Sequence, residues 1–231
     1  MVPVEPMNPI FVAIDTTDLI RARDLAATLA PHVGGIKLGL EFFLAHGAAG
    51  VAAVRPDGMP LFLDLKLHDI PNTVVGALRA IAPVAPTFVT IHASGGPDMM
   101  RRAAGTAAEA GIRLLGVTVL TSMDDDDLRT IGQKGPVGAQ VLRLAQRARD
   151  AGIAGVICAP HEVAALRLSH GPDLALMVPG IRPAWSVADD QKRITTPADA
   201  MTAGATHLVI GRPITAAADP VAAARRILDE L

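Results

Sequence analysis

Aromatic side chains are scarce in this chain of 231 residues, which has five Phe, one Trp and no Tyr. Half of the residues are hydrophobic, so the core must be built from Ala, Val, Leu and Ile, which suits helices packed on a buried sheet. Cysteine is nearly absent as well. The single Cys158 excludes an intrachain disulfide and the four-Cys zinc pattern. In the apolar run GVICAP it reads as a buried, inert thiol. No sign of charge dominates: the formal net charge is -2 and there is no long basic block. Neither duplex nucleic acid nor an anionic membrane is therefore an evident partner. No apolar run approaches the ~20 residues needed to span a bilayer, and the Pro-rich, acidic opening MVPVEPMNP is followed by no signal-peptide core. A soluble cytoplasmic protein is the expectation. Small phosphorylated ligands remain open to it, because they require a few placed donors rather than a basic surface.

What the chain does have is a recurring unit. Short apolar runs rich in β-branched residues predict strands at 10–15, 35–40, 61–66, 88–92, 115–121, 155–159, 174–178 and 208–211. Their hydrophobicity is nearly continuous rather than alternating, which indicates burial on both faces and parallel pairing. Ala-rich segments with helical spacing lie between them, at 19–29, 73–81, 97–110, 137–151, 197–203 and 219–231. Pro97, Pro197 and Asp219-Pro220 mark helix starts, and the Ala-Gly pairs at 110–111, 151–152 and 203–204 mark helix ends. Strand–helix units at this spacing in one domain over 1–231 predict an α/β fold, a single-domain (β/α)8 TIM barrel. An open doubly wound sheet fits less well, since no G-x-G-x-x-G turn follows the first strand. Two connections are long and polar, 122–136 and 181–196. The four Asp at 124–127 lack the alternating spacing of a calcium loop and read as a solvated loop.

In such a barrel, chemistry sits at the carboxyl ends of the strands, and polar residues collect there. Asp15 ends the first predicted strand, Lys37 lies on the second, and Asp64 and Lys66 lie on the third. Buried strands rarely hold charges that are neither paired nor working. Strand alternation places Asp64 and Lys66 on one face, with Leu63, Leu65 and Leu67 turned outward. Beside carboxylates Lys66 is expected to be a cation with a proton to donate. Asp69 lies past the strand end, where alternation no longer fixes its direction, so it faces either the same pocket or a neighbouring subunit. A structural ion-pair network is the bland alternative for these charges. The other half of the mouth reads as phosphate-binding. Pro179-Gly180-Ile181-Arg182 follows the seventh strand and Gly211-Arg212-Pro213-Ile214 the eighth, with Gln191 in the long loop as a further amide donor. His92 and His161 lack a second ligand at metal spacing and read as supporting residues. His68 is given no role, and no metal site is expected.

The run DLKLHDIPNT at 64–73 resembles the signature of the orotidine 5'-phosphate decarboxylase family, in its shorter bacterial form. The likeness continues through FVAID at 11–15, IKLGLEFF at 36–43, VTIHASGG at 89–96, VTVLTSM at 117–123, VPGIRP at 178–183, DDQKRITTP at 189–197 and VIGRPIT at 209–215. It implies conversion of orotidine 5'-monophosphate to uridine 5'-monophosphate and carbon dioxide without metal or organic cofactor. In that likeness Lys66 protonates carbon six of the pyrimidine and Asp64 lies near the departing carboxylate. Lys37 and Asp69 complete the charged array. Asp15 and Lys37 hold ribose hydroxyls, and Thr121 contacts the pyrimidine. Pro179, Arg182, Gln191, Gly211 and Arg212 hold the base edge and phosphate. Asp69 and Thr73 come from the partner subunit of a homodimer.

Two rivals are weighed against this reading. Metal-dependent sugar-phosphate decarboxylases or aldolases of the same superfamily share the D-x-K-x-x-D pattern but carry an acidic residue where Lys37 stands, and an ammonium is a poor neighbour for a divalent cation. A catalytically dead nucleotide-binding barrel has no need of an embedded acid such as Lys66.

Overall fold

The computed structural model describes residues 8–186 and 195–231. Its strands are β1 (Ile10–Ala13), β2 (Gly35–Gly39), β3 (Leu61–Leu67), β4 (Phe88–His92), β5 (Arg113–Val117), β6 (Gly155–Ile157), β7 (Ala175–Val178) and β8 (His207–Ile210). Among the described residues these pair in chain order, all parallel, and β8 returns to β1 to close the barrel. Continuous burial along the strands is what a doubly covered parallel sheet requires. The helices around it are α1 (Leu19–Leu29), α2 (Leu40–Val54), α3 (Pro71–Ile81), α4 (Pro97–Glu109), α5 (Asp125–Thr130), α6 (Val137–Asp150), α7 (Val163–His170), α8 (Pro197–Thr202), α9 (Arg212–Thr215) and α10 (Pro220–Asp229).

The expected (β/α)8 barrel is thus the observed fold, with differences in its parts. Helical spacing predicts neither α2 nor α7, nor the short α5 and α9. Helix α2 is apolar around much of its circumference and broken at Gly47, whose φ is 58°, so no clean stripe of period 3.6 stands out. The four Asp at 124–127 are not a plain loop. The Asp124 carboxylate accepts from the amides of Asp126 and Asp127, and the Asp127 carboxylate accepts from the Asp124 amide. This is a capping box, and acidic residues gather there because they oppose the partial positive charge of a helix start. The first strand stops at Ala13 and the fifth at Val117, so Asp15 and Thr121 stand on loops just past their strand ends.

The hydrophobic residues form two cores. The outer one, between strands and helices, is largely Ala, Val, Leu and Ile, as the composition requires. The inner one departs from that expectation, because it gathers Phe11, Phe62 and Phe88 with Leu115, Met177 and Val209. The three rings meet edge to face at centroid distances of 5.6–6.5 Å, an arrangement that aligns ring edges with ring faces. A barrel interior is wide, and rings fill it with few residues. Gly35, opposite Phe11 on β2, makes room: a Cβ there would lie 2.2 Å from the Phe11 ring.

Read upward along the strands, this inner face changes character in steps of two. Phe62 is followed by Asp64 and Lys66, and Gly35 by Lys37. Phe88 is followed by Thr90 and His92, and Phe11 by Ala13 and then Asp15. An aromatic floor therefore underlies an ionic mouth at the carboxyl ends of the strands. His207, on the floor against Phe11 and Phe88, is held neutral, its pKa pushed down to about 4 by burial and by the charge of Arg113. No helix among the described residues is long and apolar enough to cross a membrane.

Candidate active site

A cleft of about 330 Å³ opens at that ionic mouth. Asp15, Lys37, Asp64, Lys66, Thr121, Pro179, Arg182, Gly211 and Arg212 all line it, so the tertiary fold brings together nine of the positions singled out in the sequence. Two others, Asp69 and Thr73, are not part of this wall. Asp69 and Thr73 are exposed, Asp69 on the loop after β3 and Thr73 in the first turn of α3. The Asp69 carboxylate accepts from the Ile70 amide at 2.7 Å. Gln191 lies outside the described residues.

Two short ion pairs organise the charged half of the cleft. Lys37 Nζ donates to Asp15 Oδ1 at 2.7 Å, and Lys66 Nζ donates to Asp64 Oδ2 at 2.6 Å. The Lys37 side chain is 10% exposed and that of Asp64 is 17% exposed. Ammonium and carboxylate groups this far from water persist only when they are paired. Gly39 leaves space above the first pair, for a Cβ there would stand 3.3 Å from Lys37 Nζ.

Alternation correctly predicted that Asp64 and Lys66 share the inner face while Leu63, Leu65 and Leu67 join the outer core. It did not predict how β3 is held. The β3–β4 register shifts between Leu63 and Leu67, and Lys66 has a φ of 48°. Thr90 Oγ1 donates to Asp64 Oδ1 at 2.9 Å and accepts from the Lys66 amide at 2.9 Å. Thr90 carries no distinguishing mark in the sequence, because threonine is an ordinary strand residue. The available signal was its inward phase on β4, between Phe88 and His92.

His68 and His92 stack at the rim of this group, their centroids 5.0 Å apart. The His92 pKa is lowered, first by burial and then by His68 and Lys66, with Asp64 opposing. His92 is therefore neutral at neutral pH and adds no further cation beside Lys66. His161 lies on the exposed side of Glu162 and not in the cleft wall. Burial likewise raises the thiol pKa of Cys158, which keeps it protonated and unreactive at the cleft wall. Val117, Val119, Ile157 and Ile181 add an apolar part to the cleft lining.

The arginines enter the cleft lining from the last two strand ends. Arg182 follows β7 and Arg212 opens α9 directly after β8. The loop bearing Arg182 is tied down from outside. Trp185 Nε1 donates to Glu230 at 2.8 Å, and the Arg226 guanidinium lies 4.5 Å from the centroid of the Trp185 ring. These contacts anchor the loop to the end of α10. Gly180, at a φ of 76°, supplies the left-handed turn that carries the chain from β7 to Arg182.

Comparison with known proteins agrees with this geometry. The sequence model of the Orotidine 5'-phosphate decarboxylase / HUMPS family matches residues 8–227. The chain is 54% identical to an orotidine 5'-phosphate decarboxylase of Paramagnetospirillum magneticum, over 97% of this chain and 99% of that protein. It is 56% identical to one of Rhodospirillum rubrum, over 97% of this chain and 94% of that protein. The crystal structure of orotidine 5'-phosphate decarboxylase from Lactobacillus acidophilus superposes with a TM-score of 0.85 at 39% identity, covering 96% and 98% of the two chains. With its barrel, its charged mouth and near full-length similarity all in agreement, this chain belongs to the orotidine 5'-phosphate decarboxylase / HUMPS family.

Proposed function

We propose that this chain is a carboxy-lyase that converts orotidine 5'-monophosphate to uridine 5'-monophosphate and carbon dioxide, a step of pyrimidine nucleotide biosynthesis. The observation that carries the proposal is the buried Lys37 beside the Asp64–Lys66 pair. The metal-dependent reading of the same family is not favoured, because an ammonium stands where that chemistry requires an acidic ligand. Asp15 and Asp64 each already hold a lysine.

In the proposed step the bond from carbon six to the carboxylate breaks and its electron pair stays on the ring carbon. Carbon dioxide leaves, and Lys66 Nζ delivers a proton to that carbon and regains one from solvent. A carbanion of this kind needs a fixed cation already in place, and Lys66 serves as both cation and acid. Asp64 faces the departing carboxylate. Asp15 and Lys37 hold the ribose hydroxyls, and Thr121 meets the pyrimidine edge. Pro179, Arg182, Gln191, Gly211 and Arg212 hold the base edge and phosphate. Contacts to the phosphate, remote from the breaking bond, supply binding energy that assembles the site.

The decisive assay follows the loss of orotidine monophosphate absorbance. Turnover is expected to be the same with and without EDTA, and loss of activity on chelation would favour the metal-dependent class. Arg212→Ala is expected to raise KM for orotidine monophosphate roughly 10- to 100-fold, the range that corresponds to one charge-assisted contact. An unchanged KM would place the phosphate elsewhere.

The reading extends to assembly. Asp69 and Thr73 complete the site of a partner subunit in a homodimer. Ile70, Leu40 and Leu44 support this, since all three are exposed in the single chain near the β2 and β3 ends. Exposed apolar groups of this size suit an association surface. The whole chain, 1–231, acts as one barrel domain in the cytoplasm, with neither nucleic acid nor membrane as partner.

A further inference from the structure

Thr90 is completely buried on the inner face of β4, directly behind the charged pair. It stands where two strands fall out of step. Leu63 pairs with Val89 and Leu67 with Ile91, so four residue steps of β3 run beside two steps of β4. The excess of two residues is taken up opposite Thr90, as in a β-bulge. Lys66 lies within that bulge and takes the left-handed backbone conformation that residues with a Cβ avoid. Such a conformation persists only where its surroundings hold it.

The hydroxyl of Thr90 is the atom that holds it. A threonine hydroxyl has one proton to donate and lone pairs to accept with, and here both capacities are used on the same active pair. The proton goes to Asp64 Oδ1, and the lone pair takes the Lys66 amide. The other Asp64 oxygen, Oδ2, accepts from Lys66 Nζ. One buried oxygen therefore ties the carboxylate of the pair to the backbone that carries the ammonium.

We infer that Thr90 is a positioning residue, whose hydroxyl sets the relative placement of the Asp64 carboxylate and the Lys66 ammonium. The inference rests on Lys66 being the proton donor proposed above. Thr90 does not line the cleft, so it acts through those two residues and not on substrate.

The test compares Thr90→Val, nearly the same shape without a hydroxyl, with Thr90→Ser, which keeps the hydroxyl. Thr90→Val is expected to lower kcat roughly 10- to 100-fold, the effect of losing a hydrogen bond to a charged group. KM, and the Kd of uridine monophosphate by calorimetry, should change by less than about threefold, since ground-state binding is untouched. Thr90→Ser should return kcat to within about threefold of wild type. A merely structural role predicts otherwise, with product affinity falling alongside kcat, and that result would overturn the inference. So would a wild-type kcat in Thr90→Val, or equal losses in the Val and Ser variants. If Thr90→Val does not fold, Thr90→Cys, a weaker donor of similar size, should fall between Ser and wild type on one side and inactivity on the other; full kcat in that variant would overturn the inference. Failure of the wild-type protein to consume orotidine monophosphate would instead refute the functional reading on which this one rests.

Discussion

Lys66→Ala is expected to lower kcat for orotidine monophosphate by roughly 10⁴-fold or more, while uridine monophosphate still binds. Two contributions combine in that figure. A placed general acid is worth about 10²–10⁴ in rate, and a preorganised charge at the site of developing carbanion about 10²–10³. Both belong to one atom, Nζ, held 2.6 Å from Asp64 in a cleft partly lined by apolar residues. The proposed phosphate and ribose contacts lie on other elements, so product affinity tests whether the rest of the site survives. The absorbance assay gives kcat and titration calorimetry gives the Kd of uridine monophosphate. Turnover within tenfold of wild type would remove Lys66 from the mechanism.

The second large effect concerns assembly. Asp69→Ala alone should lower turnover by roughly two orders of magnitude or more, in line with loss of a charge that orients the reacting pair. Yet Asp69 does not line the cleft of its own chain. If it serves a partner's site, Lys66→Ala and Asp69→Ala subunits complement one another. In a mixed dimer one site pairs an intact Lys66 with an intact Asp69, and the other has lost both. Random re-association of equal amounts should then recover about a quarter of wild-type activity, because half of the dimers are mixed and each has one working site. Refolding or subunit exchange of the two inactive variants, followed by the same assay, measures it. No recovery in a mixture shown to contain mixed dimers would return Asp69 to its own chain.

Much of this architecture was legible along the chain because its physics is local. Continuous apolar strands announced a parallel sheet, and their number and spacing announced a barrel. Alternation put Asp64 and Lys66 on one face, since side-chain direction in a strand depends only on parity. Lys37 favours a cofactor-free reading of the cleft by charge type alone. What misled the reading was equally local. The composition suggested a core free of aromatics, yet three of the five Phe are concentrated inside the barrel. An average over the chain says nothing about where the few rings gather. The acidic run at 124–127 lacks calcium-loop spacing and so reads as a solvated loop, whereas its backbone amides find carboxylate partners at a helix start.

By itself, then, the sequence determined the class of fold, the identity of the charges at the barrel mouth and the phase in which they point, because each follows from residue type and strand periodicity. Tertiary structure alone decided how those charges are held. Asp15 meets Lys37 across neighbouring strands, and Thr90 reaches Asp64 and the Lys66 amide across a register shift. Asp69 is left outside the cleft of its own chain. A register shift is a relation between two strands, and no pattern within either one encodes it. The backbone of Lys66 turns left-handed only because the packing of β3 on β4 outweighs the preference of the residue itself.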